Sequence, residues 1–130
     1  MTAKFQLPAD AQALAEREAQ NLLAEVDGVS AVVVATVDGF DVASAMRTGD
    51  AARVAAMASS IAAISAVVSQ EAELGRNRSV TIDTESGFAL VYNVHRDDTP
   101  LVINVIANGD AMLAQVNYRT AQLARTLAAA

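Results

Sequence analysis

The chain has 130 residues, a formal net charge of −6, 53% hydrophobic and 18% charged residues, which excludes an intrinsically disordered polypeptide. Cysteine is absent and Lys4 is the only lysine, so disulfides, thiolate metal sites, cysteine nucleophiles and a Schiff-base amine in a folded core are excluded. The nine basic residues are scattered along the chain, whereas nucleic-acid and anionic membrane surfaces need them clustered, so neither is an expected partner. Alanine supplies much of the apolar content and aromatics only 4%, which favours closely approaching backbones over a roomy ligand cavity.

Residues 1–9 read as an N-terminal tail without the apolar core of a signal peptide, and residues 10–130 as a single domain of cytoplasmic type. The spacing of Ala11, Leu14, Ala15, Ala19, Leu22 and Val26 predicts an amphipathic helix over residues 8–26, opened by Pro8 and closed near Gly28. Residues 29–37 form a β-branched run expected of a strand covered on both faces. Asp38 and Gly39 then predict a tight two-residue hairpin turn, both at positive φ, into a strand over 40–46. In that strand Phe40, Val42, Ser44 and Met46 should share one face and Asp41, Ala43 and Ala45 the other.

Asp50 is a good N-cap for a second helix running to about residue 74, where Gly75 stops it. Residues 78–85 alternate, with Val80 and Ile82 opposite Ser79, Thr81 and Asp83, as in a strand near a sheet edge. A turn at 85–87 leads to a strand with Phe88, Leu90, Tyr92 and Val94 on one side. A polar turn over 95–100 precedes a doubly covered strand over 101–106. Asn108, Gly109 and Asp110 are expected to cap a last helix carrying Leu113, Val116, Leu123 and Leu127. The order αββαβββα predicts an α/β (α+β) fold: a five-stranded, mostly antiparallel sheet with helices on both faces.

The helix after Asp50 is the informative element, because residues 54–70 contain no charge. Val54, Met57, Ile61, Ile64 and Val68 make a stripe of large residues, expected to cover the sheet. Ala51, Ala55, Ala58, Ala62, Ser65 and Ser69 make a second stripe of small residues roughly 100° round the helix. A helix facing water normally carries Lys, Glu or Gln outside, so this one is expected to be buried on both sides. The small stripe, with Arg78, Val80 and Ile82 of the edge strand, is the candidate interface for a second copy of the chain. At 17 uncharged residues, mostly Ala and Ser, the segment is at the short limit for a bilayer span, and no membrane insertion is expected.

Chemistry is sparse. His95, Arg96, Asp97 and Asp98 lie together but in a short turn before Pro100, where Asp commonly bonds the local backbone. No Gly-rich phosphate loop or nucleophile elbow occurs, and Asp38 and Asp41 flank a turn rather than face one cleft. The expectation is no catalytic residue, no metal and no cofactor.

The helix ending at Asp27-Gly28-Val29, the apolar strand, the Asp38-Gly39 turn, the long small-residue helix and the strand over 101–107 together resemble the Roadblock/LC7 family. The resemblance covers roughly residues 11–127; Asp27 departs from the proline frequent before Gly-Val in that family. It implies a profilin/longin-like fold that forms homodimers through paired central helices and edge strands. It further implies a non-catalytic scaffold; some members are dynein light chains, and prokaryotic stand-alone ones regulate Ras-like small GTPases as activating or exchange-regulating platforms. The alternatives are a small-molecule sensor and a purely structural dimerisation domain.

Overall fold

The computed structural model describes residues 7–130. Its elements are α1 (Ala9–Glu25), β1 (Val29–Thr36), β2 (Asp41–Met46), α2 (Ala51–Glu71), β3 (Ser79–Thr84), β4 (Gly87–Val94), β5 (Leu101–Asn108) and α3 (Leu113–Ala129). The five strands form one sheet in the order β2-β1-β5-β4-β3, and every neighbouring pair is antiparallel. β5 lies at the centre with β1 beside it, and the apolar runs of both leave no face for water; β3, with its alternating polar residues, lies at an edge. The expected tail falls largely on residues 1–6, outside the described residues, while Leu7 packs on the core.

One face of the sheet is covered by α1 and α3. Ala15, Ala19 and Leu22 of α1, with Val116, Leu123 and Leu127 of α3, pack on Val32, Val34, Leu90, Val94, Ile103 and Val105. The other face is covered by α2 alone. There Val54 and Ala55 sit on Val33 and Ala35, and Ala58 and Ala62 sit on Val91 and Val102. Asn104 of β5 is on this α2 side, paired with Val33 and Val91, and is only 3% exposed. Its side-chain oxygen has no hydrogen-bond partner among the described residues.

Local structure departs from expectation at four points. The β1–β2 hairpin closes with a three-residue loop: Thr36 N donates to Phe40 O (2.9 Å) and Gly39 N to Thr36 O (3.0 Å). Only Gly39 is left-handed (φ 96°); Asp38 is not, because the loop is a type I turn followed by a left-handed glycine. A bulge follows, since Val34 pairs with Ala43 but Ala35 with Asp41. The extra residue, Val42, therefore joins Ala43 in the α1 core rather than the face of Ser44 and Met46.

The third point is the end of α2. Leu74 N bonds Ser69 O (2.8 Å) and Glu73 N bonds Gln70 O (3.1 Å), with Glu73 at φ 55°. That pairing ends the helix before Gly75 is reached, and a glutamate occupies the left-handed position. Lastly, Asn108 Oδ1 accepts from Asp110 N (2.8 Å), closing a turn, so α3 begins only at Leu113 and has no side-chain cap.

Candidate functional site

The start of α2 follows from its sequence: Asp50 Oδ1 accepts from Ala52 N at 3.0 Å and Arg53 N at 3.4 Å, as an N-cap should. What the helix then presents to each side differs from the sequence expectation. The small-residue stripe is the one laid on the sheet. Ala55 and Ala58 are fully buried, Ala62 is 8% exposed, and Ala51, Ser65 and Ser69 are half-buried beside them. Ser65 and Ser69 turn their hydroxyls back onto the helix, donating to Ile61 O (2.7 Å) and Ser65 O (2.9 Å). Ala55, Ala58 and Ala62 are thus closed to a partner, which corrects their assignment to an outward interface.

The physical reason is volume. The sheet supplies Val33, Val91 and Val102 beneath α2, so the helix contributes methyl groups and its backbone comes close. Of the stripe expected inside, only Val54 is buried and Ile61 half-buried. Met57 (50% exposed), Ile64 (66%) and Val68 (59%) face outward instead, joined by Val67 (59%). No charged side chain interrupts this surface between Arg53 and Glu71. On edge strand β3, Val80 is half-buried on the α2 core, while Ile82 is exposed on the same side of the sheet and Arg78 is exposed just before the strand.

Asp38 and Gly39 support this surface rather than forming a site. A Cβ on Gly39 would stand 3.2 Å from Ser59 Oγ and 3.4 Å from Ala56 Cα, so the hairpin tip abuts α2. By length and composition α2 is also the one helix among the described residues apolar enough to cross a membrane. Its contacts with the sheet make it part of the folded domain.

The turn after β4 is a clamp. The Arg96 side chain is only 5% exposed and grips Asp98 through two bonds of 2.8 Å, Nε to Oδ1 and Nη2 to Oδ2. Its Nη1 donates to the carbonyl oxygens of Leu127 and, at 3.1 Å, Ala130, so the guanidinium holds the C-terminal end of α3. The Arg96 hydrogen bond holds the Asp98 carboxyl well below the usual range, at about 2. Asp98 Oδ1 also accepts from Thr99 N at 2.6 Å. Both groups of the pair are thereby occupied. Among the described residues no cluster of three His, Asp or Glu side chains has metal-binding geometry.

A fully antiparallel five-stranded sheet, two helices on one face and a single uncovered apolar helix on the other define a small α+β domain whose distinctive surface is a helix face rather than a cleft. The chain belongs to the Roadblock/LC7 family, whose domain model matches residues 16–103. Solved structures share the fold. A Roadblock/LC7 domain from Streptomyces avermitilis is 20% identical with a TM-score of 0.78, over 86% of this chain and 92% of that one. An MglB with tetrameric arrangement is 15% identical, TM-score 0.84, over 98% and 95%. The gliding protein MglB from Thermus thermophilus is 14% identical, TM-score 0.83, over 98% and 96%. No curated protein sequence matches.

Proposed function

We propose that the protein is a non-catalytic homodimeric scaffold of the cytoplasm that binds and regulates a Ras-like small GTPase. The carrying observation is the outer face of α2: Met57, Ile64, Val67 and Val68 are each at least half exposed in a stretch without charge. Such a surface is costly in water and is characteristic of a contact site. A second copy related by a two-fold axis would cover it helix against helix, with Ile82 and the free edge of β3 continuing the contact. Family membership supports the regulatory role, since Roadblock/LC7 domains serve as adaptors rather than enzymes. Among the described residues the clefts on the surface are open to solvent, which lends the small-molecule reading no support. The test is to mix the purified protein with Ras-like GTPases encoded near it and follow nucleotide hydrolysis and exchange. Binding with a changed rate supports the proposal; absence of both binding and rate change refutes the GTPase assignment.

A further inference from the structure

Across the sheet from the outer face of α2, a second surface has a different character. Tyr92 and Val94 of β4 and Ala121, Ala124 and Ala128 of α3 floor a cleft of about 220 Å³. Arg78, His95 and Arg125 stand at its rim. Arg78 and His95 also line a neighbouring cleft of about 640 Å³ at the sheet edge, which reaches Ser69 and Leu74 at the C-terminal end of α2 and adds Arg76 and Asn77. No carboxylate lines either cleft. Among the described residues the side chains of Arg76, Arg78 and Arg125, like those of Arg47 and Arg53, have no carboxylate within ion-pair distance. Asn77 Nδ2 is buried and has no acceptor.

In a chain of net charge −6, three unpaired guanidinium groups thus gather on two adjoining clefts, although the sequence disperses them over fifty residues from 76 to 125. The structure assigns this groove, we infer, as a docking site for an acidic, apolar-anchored peptide segment of a partner protein. The smaller cleft is below the roughly 300 Å³ that encloses a drug-sized ligand, but it accommodates one aliphatic side chain. The cationic groups extend from it into the second cleft, matching an extended chain with carboxylates on either side of its anchor. The charge of the rest of the surface would repel such a segment, so the groove also gives it one place to land.

The probe is a fluorescein-labelled heptapeptide of alternating aspartate and glutamate around a central leucine, titrated by anisotropy at low and physiological salt. The expected result is saturable binding that weakens with salt and falls by about tenfold or more in Arg78→Glu/Arg125→Glu. Ala128→Trp, which fills the cleft from an exposed position, should weaken it similarly, whereas Arg17→Glu on α1 should leave it unchanged. Circular dichroism establishes that each variant is folded. The inference is overturned if the peptide does not bind, if the double reversal binds as wild type does, or if inorganic pyrophosphate displaces the probe while Ala128→Trp has no effect. That last result would make the groove a site for free anions.

Discussion

α2 and α3 pack on opposite faces of one sheet, yet they meet water in opposite ways. α3 buries Val116, Leu123 and Leu127 and turns mostly polar residues outward, Gln115, Asn117, Gln122 and Arg125, with Leu113 and Tyr118 the large exceptions. α2 buries alanines and turns Met57, Ile64, Val67 and Val68 outward. The two helices therefore divide polar and apolar residues between sheet and water in opposite ways. On the function proposed above, this apolar surface is the part of α2 that a second copy would cover.

The contrast can be broken first from inside α2. Ala58→Glu places a carboxylate against Val91 and Val102, where nothing pairs with it, and should cost about 4 kcal/mol or more, leaving little folded protein in a urea titration. The inner support of α3 comes next. Arg96→Ala removes the grip on the Leu127 and Ala130 carbonyls and should cost about 2–4 kcal/mol, with faster hydrogen exchange concentrated in the last turns of α3. Gly39→Val strains a left-handed position that abuts Ala56 and Ser59, and should lower stability by about 1–3 kcal/mol by thermal melt.

The smallest effect is pH-dependent. The folded Asp98 carboxyl is held at about 2, below its ordinary value, so its contribution is present above the ordinary carboxylate range and is lost as pH falls through about 2. Asp98→Asn should therefore be less stable than wild type near neutral pH, with the difference closing towards pH 2. A difference that stays constant would mean the ion pair is not its source.

The element order, the antiparallel sheet and the edge position of β3 were legible because hydrophobic periodicity and turn residues specify them locally. The orientation of α2 was not. Orientation is normally read from polarity, and between Arg53 and Glu71 neither stripe is charged, so only the volume of the facing strands decides. Side-chain size is the signal that remained: Met57, Ile64, Val67 and Val68 are too large to lie over Val33, Val91 and Val102 where alanines already fit. Val42 escaped because one bulge reverses strand alternation, and bulges leave no composition mark. The role of Arg96 depends on carbonyls 31 and 34 residues away, beyond any local pattern. Separation in sequence likewise hid the nearness of Arg76 and Arg78 to Arg125.

The central claim is that the outer face of α2 is an interface. Light scattering on wild type and Ile64→Glu/Val68→Glu, with thermal unfolding of both, tests it most directly. The expected result is a dimer for wild type and a folded monomer for the variant. A wild-type monomer, or a variant that remains a dimer of equal stability, would contradict it.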